Sequence, residues 1–228
     1  MTIQKLDGPR VPPKDGAKAD RLVIFVHGYG ANGDDLIGLA PYFQKVMPTA
    51  AFASPNAPER VPGQPFGYQW FGITRLDPQL MAAGADGAAP ILNAFIDEEL
   101  ARLGLDGTKL ALVGFSQGTM MSLHVGLRRA VQPAAILGYS GALVAPERLA
   151  AEMTVRPPIA LIHGDSDPMV PVTRLQEAVN TIGATGLPVR WHVSRGVGHS
   201  IDPEGLHLGV GFLKDAFEGA PAEEPAAK

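Results

Sequence analysis

Four short segments of this chain are apolar from end to end: Leu22–Val26, Leu110–Val113, Ala134–Leu137 and Ile159–Ile162. A strand with one face in water alternates apolar and polar side chains, whereas a strand covered on both faces has no reason to. Runs this short and uniform predict the interior of a parallel sheet with helices packed on both sides. Ala50–Ala53 is a further candidate strand. Val189–Val193 mixes Arg190 and His192 with apolar residues, which places it nearer an edge of the sheet.

Helical patterns fill the intervals. From Pro90 to Leu103 the apolar residues Ile91, Leu92, Phe95, Ile96, Leu100 and Leu103 recur with a helical period, while Asp97, Glu98, Glu99 and Arg102 take the other side. Gln117–Arg129, Pro146–Met153, Val172–Ile182 and Pro203–Phe217 are the other predicted helices. Strand alternating with helix from residue 22 to 217 is the order of a doubly wound α/β sheet. Residues 54–88 break that order. They are rich in Pro and Gly near their start, show no period, and are expected to form a long irregular connection with a functional role. Residues 1–218 are read as a single domain and residues 219–228, rich in Ala, Pro and Glu, as a flexible tail.

Composition removes several functional classes. The chain has no Cys, which excludes a disulfide scaffold, a zinc–thiolate site and a thiol nucleophile, and is compatible with a reducing cytoplasm. A net charge of -4 gives no electrostatic attraction toward nucleic acid or an anionic membrane. No apolar run reaches the length of a membrane span, and the first ten residues lack the apolar stretch of a signal peptide. A cytoplasmic location is the expectation.

Gly114-Phe-Ser-Gln-Gly118 has the form G-x-S-x-G and stands between a predicted strand and a predicted helix. This is the pattern of a nucleophile on a sharp turn, where small neighbours let other backbone pass close to the Ser. The Ser116 hydroxyl then needs a base, and the base needs an acid to hold it. In the chain order Ser, acid, His, both partners belong at the ends of later strands. The segment His163-Gly-Asp-Ser-Asp-Pro-Met-Val170 begins where Ile159–Ile162 ends and supplies Asp165 or Asp167. Asp165 is close enough to the strand to brace its own loop. Asp167 stands farther out and is better placed to reach a neighbouring loop, and either suits an Asx turn.

Of six histidines, His199 alone lies in a Gly-flanked loop after a late strand; His192 falls in a strand, and His124 and His207 in helices. A metal site built from His27, His163 and His199 has no supporting spacing. Charge developing on a substrate carbonyl oxygen needs donors. The N–H of Gln117, directly after the nucleophile, is one; the N–H of Tyr29, in the loop His27-Gly-Tyr-Gly30 after the first long strand, is the other.

Taken in order, His27-Gly-Tyr-Gly30, Pro55-Asn-Ala-Pro58, Gln69-Trp-Phe71, Gly114–Gly118, His163–Pro171 and Gly198-His199 resemble the phospholipase/carboxylesterase family of α/β-hydrolases, which includes the acyl-protein thioesterases. The resemblance spans residues 22–217. It implies the α/β-hydrolase fold, a triad of Ser116, Asp167 and His199, and Tyr29 and Gln117 as oxyanion donors. Tyr29 departs from the Leu that many members carry after His-Gly, and residues 72–88 show no family signature, so no substrate preference is implied.

The expected chemistry is hydrolysis of a carboxylic ester or thioester through an acyl-enzyme, without metal or cofactor. The substrate would be a small molecule or an acylated protein. An amidase or peptidase would use the same three residues, but nothing marks an amine-binding site; a non-catalytic binding module on this fold would ordinarily have lost one of them. Residues 138–158 leave no room for a cap domain between their flanking strands. An uncapped site needs some apolar surface to hold an acyl chain, and Trp70 and Phe71 are expected to wall that groove. The competing reading has them packed over the sheet as a satellite core.

Overall fold

The computed structural model describes residues 3–73 and 77–219. Its strands are β1 (Arg10–Val11), β2 (Arg21–Val26), β3 (Ala50–Ala53), β4 (Glu59–Arg60), β5 (Tyr68–Gln69), β6 (Leu110–Phe115), β7 (Ala135–Tyr139), β8 (Ile159–Gly164) and β9 (Val189–Ser194). Between them lie the helices α1 (Gly33–Ile37), α2 (Ala40–Gln44), α3 (Pro78–Leu103), α4 (Gln117–Gly126), α5 (Leu149–Glu152), α6 (Thr173–Ala184) and α7 (Pro203–Glu218). The main sheet runs β1-β3-β2-β6-β7-β8-β9, parallel throughout except that β1 pairs antiparallel with β3. Strand β9 is at the edge, as its mixed composition predicts. This is the α/β-hydrolase architecture.

Double burial explains the uniformly apolar strands. In β2, Leu22, Ile24 and Val26 join a core with α3 and α4, while Val23 and Phe25 join a second core with α1, α2 and α7. Farther along the sheet, Ile136, Ile159, Leu161 and Val189 pack beneath α4 and α6. The apolar residues of Leu22–Val26, Leu110–Val113, Ala135–Leu137 and Ile159–Ile162 therefore leave water whichever way they point.

Helix α3 begins at Pro78, not near Pro90, and takes in the final part of the connection expected to be irregular. Its early packing stripe is Ala82, Ala85 and Ala88, continued by Leu92. The residues are small because the helix lies against its neighbours: a β-carbon on Gly84 would stand 2.6 Å from Phe71 Cβ. Such a face carries no large apolar residues, so no hydrophobic period marks it. The start is nevertheless encoded, since Asp77 accepts from the Gln79 and Leu80 N–H groups and Pro78 occupies the first turn. The earlier part of the connection forms the antiparallel β4–β5 hairpin. Residues 74–76 of that connection, and residues 220–228 of the expected tail, lie outside the described residues.

Between β7 and β8, residues 140–158 hold only a 3₁₀ turn and α5, so no cap domain stands there. Among the described residues, no helix is long and apolar enough to cross a membrane.

A buried polar brace joins α3 to α4. His124 Nε2 lies 3.0 Å from Asp86 Oδ1, and Asp86 is held in turn by Arg148. Arg148 and Arg128 both bind Glu152. His124 Nδ1 is buried and has no partner among the described residues. Burial first, then the nearby Arg128 charge, holds His124 below the usual histidine range against the pull of Asp86. The folded protein therefore refuses a proton that the unfolded chain accepts below about pH 6.5. Stability from this site is complete above that pH and is lost as the pH falls through it. Thermal melts should show a steady midpoint from pH 7 to 8, falling on acidification. In His124→Gln, which retains an N–H for Asp86, the fall should be shallower.

Candidate active site

Ser116 is the residue between β6 and α4, and its backbone is at φ 55, ψ -117. A non-glycine residue at positive φ is strained and persists only where its surroundings hold it. Here the Ser116 N–H donates to Tyr139 O at 2.8 Å, and its carbonyl accepts from Thr119 and Met120. The flanking glycines are required by space. A β-carbon on Gly114 would meet the Gly118 carbonyl at 2.4 Å, and one on Gly118 would meet Val26 O at 1.7 Å. One on Gly28 would stand 3.1 Å from Ser116 Cβ, so the loop after β2 runs directly past the serine.

The acid and the histidine meet across two later strand ends. Asp167, after β8, has a side chain closed to solvent, and its Oδ2 lies 2.7 Å from His199 Nδ1. Its other oxygen accepts from the Met169 and Val170 N–H groups at 2.8 and 2.9 Å. Burial pushes the Asp167 carboxyl upward, but the His199 bond and the two amides outweigh it and hold it below the ordinary carboxylate value. An ionised carboxylate only accepts, so His199 carries its proton on Nδ1 and presents Nε2 as an acceptor. The His199 ring is 4.9 Å from that of Phe115, the residue before Ser116.

Asp165 takes the other part open to it. Its Oδ1 accepts from Gly196 N–H at 2.7 Å and from Ser166 Oγ, tying the β8 loop to the loop that carries His199. The two carboxylates differ in what they touch: Asp165 bonds to the backbone of the loop that carries His199, and Asp167 bonds to His199 itself.

The N–H groups of Tyr29 and Gln117 donate to nothing among the described residues. The Tyr29 loop is anchored just beyond Tyr29: Gly30 N–H donates to Tyr68 O and Tyr68 N–H to Ala31 O. His27 is fully buried and neutral. Its Nε2 accepts from Ala57 N–H at 2.9 Å, which leaves Nδ1–H to donate to Gly28 O at 2.8 Å. Burial dominates in holding it below the histidine range. With both nitrogens used, His27 has none for a metal, and the described residues contain no cluster of three or more metal-ligating side chains.

Trp70 and Phe71, expected to wall the acyl groove, are 2% and 4% exposed and belong to the core cluster that includes α3, an arrangement that favours the satellite-core reading. Hydrogen bonds turn this segment inward. Gln117 Oε1 accepts from Trp70 N–H at 2.9 Å, Gln117 Nε2 donates to Phe71 O at 2.8 Å, and the Trp70 indole donates to His27 O at 3.0 Å. Sequence reasoning missed the Gln117 side chain, whose only signal is an amide at the head of an otherwise buried helix. It also missed His163, whose Nε2 donates to Val170 O at 2.8 Å and lies 3.5 Å from Asp167 Oδ2.

An apolar groove of about 400 Å³ opens beside this cluster, lined by Met81, Met120, Ala142, Leu143, Val144 and Met169 among others. Three of its lining residues adjoin the site residues. Met120 is one turn along α4 from Ser116, Met169 donates to Asp167, and Ala142 follows a glycine packed against the Ser116 carbonyl.

Residues 8–216 match the family model described as Phospholipase/Carboxylesterase. The chain belongs to that family. It is a hydrolase of the carboxylesterase type. The acyl-protein thioesterase 1 of Gibberella zeae is 29% identical over 215 residues, covering 84% of this chain and 88% of that protein. Esterase YpfH of Escherichia coli is 24% identical over 196 residues, covering 86% of this chain and 83% of its own. The crystal structure of esterase PE8 superimposes with a TM-score of 0.89 at 43% identity, covering 93% of this chain and all of that one.

Proposed function

We propose that this family member hydrolyses carboxylic esters and thioesters through an acyl-enzyme on Ser116. One observation carries the reading: a strained Ser116 at a strand-to-helix turn, with an Asp167–His199 pair 2.7 Å apart on the same rim of the sheet. His199 Nε2 takes the Ser116 proton as the hydroxyl attacks the carbonyl carbon, then delivers it to the departing alcohol or thiol. Water repeats the sequence and frees the acid. Asp167 keeps the imidazole in the Nδ1–H tautomer and stabilises its charged form. The N–H groups of Tyr29 and Gln117 stabilise the oxyanion in each tetrahedral intermediate.

The methionine-lined groove takes the acyl chain in place of Trp70 and Phe71. It is apolar and open, which suits a chain presented on a small molecule or on the surface of another protein. The relatives named as acyl-protein thioesterases, in Gibberella zeae and in Saccharomyces cerevisiae, support the second of these.

A fluorophosphonate probe should label the protein at Ser116, and Ser116→Ala should abolish labelling and lower ester turnover by roughly four to six orders of magnitude. Near-normal turnover in a folded Ala variant would remove Ser116 from the mechanism.

Asp167→Asn is expected to reduce kcat by about a thousandfold or more, by offering His199 the wrong tautomer. Asp165→Asn should cost far less, because it only loosens the link to Gly196. Equal losses would contradict the division of labour between the two carboxylates.

Met169→Ala should lower kcat/KM for long-chain esters progressively with chain length and leave acetate esters nearly unchanged, since each methylene held is worth up to about 0.8 kcal/mol. A loss independent of chain length would place the acyl chain elsewhere.

A further inference from the structure

The two proposed oxyanion donors stand on separate loops. Tyr29 follows β2 and Gln117 follows β6, adjacent parallel strands whose register ends with Val26 opposite Gly114. Past that pair the ladder no longer sets the distance between the two chains. An oxyanion hole works only if its donors are already aimed at the place where charge develops, because reorganising them during reaction costs rate. Close backbone packing at Gly28 and Gly118 brings the two loops together, and a directional tether is needed to fix how their donors are aimed.

We infer that Trp70 and the Gln117 side chain are positioning residues that form this tether, an inference that rests on the serine-hydrolase reading above. A continuous line of buried hydrogen bonds joins the two donors. From the Gln117 backbone it passes through the amide side chain to Trp70 N–H at 2.9 Å, then along the indole to His27 O at 3.0 Å, two residues before Tyr29. A second bond, Gln117 Nε2 to Phe71 O at 2.8 Å, keeps the amide from rotating. Both ends of the Gln117 side-chain amide are thereby used, and the side chain is buried.

The residue types fit the task. An indole is rigid, with two side-chain torsions and one N–H donor. Trp70 is nearly inaccessible, so a role in direct contact with substrate is closed to it in this structure. The loop it holds has a second tether through Tyr68, which pairs with Gly30 and Ala31 beyond the Tyr29 donor. Tyr29 is thus held from both directions. The segment Gln69-Trp-Phe71 works as a spacer beneath the hole and not as a wall of the acyl groove.

The test separates positioning from mere packing. Trp70→Phe keeps an aromatic ring but removes the indole N–H; Gln117→Met keeps length and removes both amide bonds. For wild type, each variant and the double variant, kcat and KM are measured on one short-chain ester. Inhibition is measured with an arylboronic acid, whose adduct mimics the tetrahedral oxyanion, and with an ether analogue of the substrate, which has no carbonyl. Each single variant should lose about ten- to a hundredfold in kcat, with KM and the ether inhibition constant changed no more than about twofold. The boronate should weaken in proportion to kcat/KM. The double variant should lose little beyond the worse single one, because both changes cut the same line. Leu92→Ala, in the same core but outside this line, should lower Tm while leaving the ratio of boronate to ether inhibition constants at the wild-type value.

Should one variant fail to fold, the other carries the comparison. Folded variants with wild-type kcat and boronate affinity, or with boronate and ether weakened equally, would overturn the inference. A wild-type protein that neither reacts with fluorophosphonate nor binds the boronate would instead overturn the serine-hydrolase reading beneath it.

Discussion

The first turn of α4 approaches the end of β2 so closely that only hydrogen fits between Gly118 Cα and the Val26 carbonyl. Much of the site's geometry depends on that contact. It brings the positive end of the α4 dipole beside the backbone of Val26 and His27, where the loop that carries Tyr29 begins. Gly28 repeats the device one layer up, letting the same loop pass Ser116 Cβ. Gly114 lets its own turn fold back onto Gly118 and Thr119, while Gly28 and Gly118 serve one requirement, the near contact of two backbones that leave adjacent parallel strands. Ser116 accepts backbone strain, on the order of 1–3 kcal/mol, to stand where they meet. Its N–H and carbonyl are both paired, which holds that conformation in place.

How much of this was legible in the sequence follows the range of the forces involved. The buried strands could be read because double burial acts residue by residue and leaves uniformly apolar runs. The turn at Gly114–Gly118 could be read because steric exclusion leaves glycines at fixed spacing. His199 stood out through its flanking glycines, and the order of strand ends placed it with Ser116. Helix α3 escaped over its first part because its packing face is alanine, which gives no apolar period, and its one clear signal was the Asp77-Pro78 start. Trp70 and Phe71 were read from bulk alone. Which way they turn is decided by hydrogen bonds to Gln117 and His27, more than forty residues distant in sequence in each case. Nothing local records such a bond.

The pair Asp165 and Asp167 shows the same limit on a smaller scale. Two carboxylates two residues apart have equal intrinsic chemistry, and the loop sequence ranks them only by reach. Space distinguishes them. Asp165 meets a backbone N–H in the next loop and a neighbouring hydroxyl, whereas Asp167 is enclosed with two amide donors on one oxygen and two histidines on the other. The first arrangement fixes a loop. The second keeps a buried carboxylate ionised and aimed, which an acid serving a histidine base requires.

The two sides of the site are built from different materials for different tasks. Beneath the Tyr29 and Gln117 backbone, three buried side chains are fully engaged: both nitrogens of His27, both ends of the Gln117 amide and the Trp70 indole. Fully paired buried groups of this kind are stiff, because letting go of any one bond strands its partner away from water. Stiffness suits a place where charge must be met without rearrangement. On the groove side the lining is mostly methionine, alanine, leucine, valine and proline, with Glu147, Arg174, Glu177 and Thr181 among them, and Met169 is 66% exposed. Unbranched thioether side chains adapt their shape at little cost, which suits chains of differing length. Electrostatic precision and tolerance of substrate shape are opposing demands on one cavity. This protein separates them by placing Ser116 on the boundary between a hydrogen-bonded floor and an apolar, yielding wall.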